Sequence, residues 1–235
     1  MRNAERVDSG RGHRIRRGRV AFGVLLLCGG VVGLVPASAS AAPAGPADTP
    51  SLVVATNPAF DEVEQGAPCD TVPLYDNSGP AGDDGNLGVG DNAFGSCAGT
   101  VRAYYQFQLP SVINGATIDQ ATVEASEVYS TSCTATKSIN LSVSGPIGAG
   151  TDWNSQPPAS GPVASAAFGP AYNQNCPNHG VVDGGFDVTT SIQQAASDQA
   201  PTVTVVLTDD SGSATQFARF SDNPVLQISY TPAAG

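Results

Sequence analysis

The sequence predicts an all-β protein, an antiparallel β-sandwich of jelly-roll type with one short helix and two disulfides. Three observations lead there. Apolar residues recur at every second position, the period of a half-buried strand. Turn-forming residues separate these runs, and the chain after residue 41 holds 20 Gly and 17 Pro. Four cysteines remain in that part, an even number. An α/β fold would need helical runs between strands, and they are missing.

The first element is a targeting segment. Met1–Arg19 carries seven arginines, and Val20–Val35 is then an apolar run that ends in Pro36 and small residues. That order is the order of a secretory signal peptide. The run of 16 residues is shorter than the ~20 that a spanning helix needs. Ala39-Ser40-Ala41 offers a small-x-small cleavage site, so residues 1–41 are expected to be removed and the protein to be secreted. Arg16-Arg17 hints at a twin-arginine route, but Gly18-Arg19-Val20 fits it poorly. Cys28 follows Leu27 where a lipoprotein cysteine follows a small residue, so it leaves with the signal.

Cleavage changes the charge. After residue 41 there are 19 acidic residues against three basic ones (Arg102, Lys137, Arg219), a net charge of −16 over 194 residues. A nucleic-acid partner would need a basic track to release counterions, and none exists. Anionic membrane surfaces are disfavoured on the same ground, so no membrane association is expected once the signal is gone.

Residues 42–51 read as a flexible leader rich in Pro and Ala, and 52–235 as one β-sandwich domain, since about 190 residues fill one core and would cramp two. Alternation is plainest at Val101–Leu109, where Val101, Ala103, Tyr105, Phe107 and Leu109 share a face. Further strands are expected at Ile118–Tyr129, Ile139–Val143, Phe186–Val188, Val203–Leu207, Phe217–Phe220 and Val225–Tyr230. Turns are expected at Asn114-Gly115, Gly145-Pro146, Asp183-Gly184-Gly185 and Asp209–Gly212. Only Thr190–Ser197 has helical spacing, through Ile192, Ala195 and Ala196, with Thr190 or Ser191 as cap.

Cys69, Cys97, Cys133 and Cys176 in an oxidising compartment imply two disulfides, with three pairings open. Cys69–Cys97 and Cys133–Cys176 are preferred, because each would tie a glycine-rich loop to a nearby strand end. Zinc is disfavoured by the lack of any Cys-x-x-Cys pair and by a single histidine after residue 41.

Candidate chemistry is sparse. Asp76–Asn92 is the densest polar stretch, and Asp76, Asp83, Asp84 and Asp91 interleaved with Gly and Asn suit calcium, which takes six to eight oxygens in loose geometry. The spacing is not that of an EF-hand, and the alternative is a solvated loop whose Gly and Asn meet turn requirements. Asp209-Asp210 with Asp222-Asn223 is a second group of this kind. Trp153, with Tyr172 or Tyr104, could form an aromatic platform for sugar rings; the alternative is a tryptophan closing one end of the core. His179 lies in a Cys-Pro-Asn-His-Gly loop, and no Gly-x-Ser-x-Gly elbow accompanies it. A glycosidase needs two carboxylates across a cleft, and no acid pair stands out. No catalytic residues are therefore assigned.

Several stretches together resemble a known family. These are Asn86–Gly90, Tyr104–Phe107 followed by Ile118–Val123, Thr151–Pro157 with its Thr-x-Trp-Asn-x-Gln-Pro pattern, Phe186–Thr189, and Pro224–Tyr230. In this order they resemble the secreted DNRLRE-type β-sandwich modules, and more closely the N-terminal module of bacterial LamG-like jelly-roll proteins. The resemblance runs from about Leu52 to Thr231 and also places Cys133 and Cys176 as a pair. It implies a non-catalytic module outside the cell, similar in shape to carbohydrate-binding modules; together with the fold and the acidic surface, the expectation is a module that binds glycan or cell-envelope material, polysaccharide or cell wall. A structural or adhesive surface protein with a protein partner, and a small glycoside hydrolase, are the alternative readings.

Overall fold

A computed structural model describes residues 50–76, 85–93 and 97–233. Every strand pair in it is antiparallel. The strands are β1 (Ser51–Ala55), β2 (Ala59–Glu64), β3 (Asn86–Asn92), β4 (Gly99–Gln108), β5 (Thr117–Ser130), β6 (Lys137–Ser144), β7 (Ala164–Phe168), β8 (Val182–Asp187), β9 (Thr202–Thr208), β10 (Ala218–Ser221) and β11 (Val225–Thr231), with one α-helix, α1 (Thr189–Ser197). They run β1-β11-β5-β10-β3-β4-β9-β6-β7, with β8 on β5 and β2 on β4, so the sheet curls over onto itself as a sandwich.

Two junctions explain the curl. β10 and β11 follow one another along a single edge of β5, while β8 takes the other edge. β3 then bridges the layers: Asn86–Val89 pair with β10, and Gly90–Asn92 pair with β4. β4 in turn has β2 along one edge and, end to end along the other, β3 and β9.

Between the layers lies an apolar core. β4 contributes Ala103, Tyr105 and Phe107, β9 contributes Val203, Val205 and Leu207, and β11 contributes Leu226, Ile228 and Tyr230, all buried. Phe168 meets Phe220 edge to face at 5.0 Å and Phe186 at 5.9 Å. α1 closes one side with Ile192 and Ala196. Asp187 Oδ1 accepts from the Thr189 amide at 2.9 Å, so the helix begins at Thr189, ahead of the expected Thr190 or Ser191 cap.

Two sequence expectations need correction. Asn86–Asn92 is a strand although it ends the polar stretch read as a loop, because Leu87 and Val89 drop into the core while Gly88 fits beneath Val101 and Phe217. Asp183-Gly184-Gly185 lies inside β8 and makes no turn. A Cβ on Gly184 would stand 2.4 Å from Cζ of Phe168, so glycine there makes room for the central ring. Ser51, the last residue of the expected leader, is the first residue of β1.

The cysteines pair as preferred. Cys69 with Cys97 and Cys133 with Cys176 have Cα separations of 5.7 and 5.6 Å, within disulfide range. Closing loops of 28 and 43 residues removes roughly 3 to 4 kcal/mol of unfolded-state freedom each in the chain-entropy account. Among the described residues no helix is long and apolar enough to cross a membrane.

Candidate functional site

The side of β4 turned away from the core is also covered. Strand partners point the same way, so Asp61 and Val63 of β2, Arg102, Tyr104 and Gln106 of β4, and Thr204 and Val206 of β9 share this outer face. Val63, Tyr104 and Val206 form a second, smaller apolar cluster with Ile147, and Tyr75 and Trp153 pack against it. The cover is the 145–158 segment. Ile147 donates its amide to Gln106 Oε1 at 3.1 Å, which ties the segment to the sheet.

The residues of the Thr-Asp-Trp-Asn-Ser-Gln-Pro stretch make its turn. Asp152 Oδ1 accepts from the Ser155 amide at 2.7 Å and hydroxyl at 2.8 Å. These bonds hold the Asp152 carboxyl below its ordinary pKa. Asn154 donates to the Asp70 carbonyl at 2.9 Å, beside Cys69. Gln156 donates to the Trp153 carbonyl at 2.7 Å, and its Oε1 accepts from Arg102 at 2.8 Å and the Tyr104 hydroxyl at 3.1 Å. The Arg102 guanidinium lies 4.8 Å from the centre of the Trp153 ring, a cation–π arrangement. Arg102 at the ring and Gln156 at the backbone carbonyl thereby fix the half-buried tryptophan in place.

Beside it opens a hollow of about 330 Å³, bordered by Asp91, Thr100, Arg102, Trp153, Asp209 and Asp210. Its origin is the strand order. β3 and β9 share one edge of β4, and where they part, Asp91 from one and the Asp209-Asp210 turn from the other flank the gap. Asp209 is 5 % exposed; its Oδ1 accepts from the Ser211 amide at 2.8 Å, while Oδ2 is buried without a hydrogen-bond partner. Hollows of about 390 and 400 Å³ lie along β8, but neither is bordered by an aromatic or a cationic side chain.

Under the cover sits Asp61, fully buried, with no well-aligned hydrogen bond to either carboxylate oxygen. Burial pushes its pKa up to about 7; the Leu74 and Glu62 amides counteract this in part, and Asp76 and Asp152 add to it. Glu127, another carboxyl raised by burial, is buried against Lys137, whose Nζ is 2.5 Å away, and also accepts from the Ser130 hydroxyl. Both carboxyls are sealed from solvent, so neither is placed to protonate a glycosidic oxygen.

The structure thus brings Trp153 and Asp91 together with Asp209 and Asp210. Tyr104 is 1 % exposed and offers no face to a sugar; it supports the platform from beneath, because the 145–158 segment covers the outer face of its strand. Tyr172 is 48 % exposed but lies where its carbonyl accepts from the Ser130 amide, outside the Trp153 hollow. Asp76 accepts from the Phe60 amide at 3.3 Å. Phe60 is opposite Tyr105 and Asp91 opposite Thr100, so Asp76 and Asp91 are about 17 Å apart along β4. Asp83 and Asp84 lie outside the described residues. Asn223 borders one of the β8 hollows, away from Asp209 and Asp210. Among the described residues the one close group of metal-ligating types is Glu64, Cys69 and Cys97, two of which are joined as a disulfide. His179 Nδ1 is buried without a hydrogen-bond partner among the described residues.

Sequence reasoning missed Arg102, Gln156 and Asp61. The outward positions of β4, Arg102, Tyr104 and Gln106, were visible as its polar side, but a covered outer face leaves no mark in the alternation of one strand. Comparison with known proteins returns no match, either to a protein-family model or to a curated protein.

Proposed function

We propose that this chain is a secreted, non-catalytic β-sandwich module that binds glycan or cell-envelope material through the hollow beside Trp153. One observation carries the reading: a tryptophan ring held by Arg102 and Gln156 borders a concave surface rich in hydrogen-bonding side chains. Sugar sites combine these elements, an aromatic face for the apolar side of the ring and polar groups for its hydroxyls. Export is supported by the basic, apolar, small-residue order of residues 1–41 and by two cysteine pairs. The resemblance to DNRLRE-type modules points the same way.

The test is retention of the secreted protein on a glycan array and on insoluble polysaccharides, with calcium and with chelator. Wild type is expected to be retained, and Trp153→Ala, still cooperatively folded though less stable, to be lost. No retention of wild type in either condition overturns the reading.

A further inference from the structure

The hollow is unusual in its charge. Three carboxylates, Asp91, Asp209 and Asp210, face one guanidinium, and that guanidinium is already engaged by the Trp153 ring and by Gln156 Oε1. The other two cations after residue 41 are not at hand. Lys137 is buried against Glu127, and Arg219 stacks over Tyr129 at 5.3 Å and Phe217 at 5.9 Å. A uronate, phosphate or sulfate would meet like charge with no cation left to answer it. A neutral sugar would cover the Asp209 carboxylate and remove its remaining water without supplying countercharge, which is costly for a nearly buried anion. The protein gives the Asp209 carboxylate one neutral hydrogen bond, from the Ser211 amide to Oδ1, and no ion pair among the described residues.

An ammonium group brings both the charge and the donors. Resting on the glycan reading above, we propose that the hollow selects glycans with free amines, de-N-acetylated amino-sugar polymers, with one ring on Trp153 and its ammonium among Asp91, Asp209 and Asp210. The field of a chain at −16 concentrates such polycations near the surface. A bare calcium ion fits less well. Its oxygens must converge on one point 2.3–2.6 Å away, whereas no three carboxylates among the described residues approach within 4.8 Å of one another.

The experiment is calorimetric titration of the mature protein with three hexasaccharides, of glucosamine, N-acetylglucosamine and glucose, and with polylysine, at mildly acidic pH. Each titration is run with calcium and with chelator. Glucosamine hexamer is expected to bind, with the N-acetylated and neutral hexamers at least about tenfold weaker. Binding should weaken with salt, and Asp91→Asn and Asp210→Asn should each weaken it about threefold to tenfold. Trp153→Ala should abolish it while leaving any residual polylysine association unchanged. Equal or tighter binding of the N-acetylated or neutral hexamer overturns the amine selection and leaves the glycan reading standing. Polylysine binding as strongly as glucosamine hexamer, with Trp153→Ala indifferent to both, shows plain polycation attraction and overturns both. Binding only when calcium is present overturns the ammonium assignment alone. Absence of binding to every hexamer overturns both proposals.

Discussion

β4 turns its two faces to two kinds of interior. On the inner side Ala103, Tyr105 and Phe107 meet other apolar residues across the sandwich, and burial accounts for most of the packing, with the Tyr105 hydroxyl donating to the Ser221 carbonyl at 2.9 Å. On the outer side Tyr104 is buried as completely, but its neighbours are Asp61, Arg102 and Gln156, and a loop forms the roof. The inner face stabilises the fold. The outer face spends part of its apolar burial on holding polar groups, including a carboxylate without a well-aligned hydrogen bond, in fixed positions beneath the 145–158 segment. Polar burial of this kind is where function concentrates, since it costs stability that packing alone would not give up.

The largest effect should come from the inner face. Phe186→Ala removes a ring that meets Phe168 and leaves a cavity that the two layers cannot close, an expected loss of about 3–5 kcal/mol in denaturant unfolding. A loss under about 1 kcal/mol would mean that the layers are loosely packed and the contrast between the faces is false.

Next comes a pH effect confined to the outer face. The folded pKa of Asp61, about 7, lies above the ordinary 3.8. Between about pH 4 and pH 7 the folded protein therefore keeps a proton that the unfolded chain releases, and stability falls as pH rises through that window. Below it the group is neutral in both states and the full stability is present; above it the loss is complete. Asp61→Asn removes this slope, so the variant should gain on wild type in melting temperature at pH 8 and not at pH 4. Parallel profiles for the two proteins would show that Asp61 is solvated and the roof is open.

These two faces also mark how far the sequence could be read. The strands with clean alternation, β4, β5, β6, β9, β10 and β11, stand close to where the periodicity predicts them, because one face meets the core and the other does not. β1, β2, β3 and β7 escaped notice for physical reasons. β2, Ala-Phe-Asp-Glu-Val-Glu, carries three acids that a propensity scale assigns to water, yet Glu62 turns inward and accepts the Gly88 amide, a partner that only the folded chain supplies. β7 is a run of small residues with a single large one, Phe168. The site was legible in pieces, as Trp153, Asp91 and Asp209-Asp210. Their convergence was not, because it follows from β3 and β9 sharing one edge of β4, and strand order is not written in local pattern.

A smaller effect separates support from contact. Tyr104→Phe keeps the buried ring and removes only the hydroxyl that donates to Gln156 Oε1, so the expected loss is about 1 kcal/mol. Glycan binding should weaken only slightly, as Arg102 still holds Gln156 in place. A loss of binding equal to that of Trp153→Ala would place Tyr104 in contact with the ligand and require the 145–158 roof to lift.

The smallest effect is the sharpest check on where the surface works. Tyr172 is the most exposed of the three aromatics named from sequence, and exposure alone would make it the best sugar platform. Among the described residues no cation lies over its ring, and it does not border the Trp153 hollow. An exposed ring free to change rotamer must be ordered on binding, which offsets much of what stacking contributes. Tyr172→Ala should therefore shift stability by no more than about 0.5 kcal/mol and leave glycan retention unchanged. Loss of retention in Tyr172→Ala with Trp153→Ala unaffected would move the binding surface to the Cys133–Cys176 end of the chain and leave the outer face of β4 a structural support only.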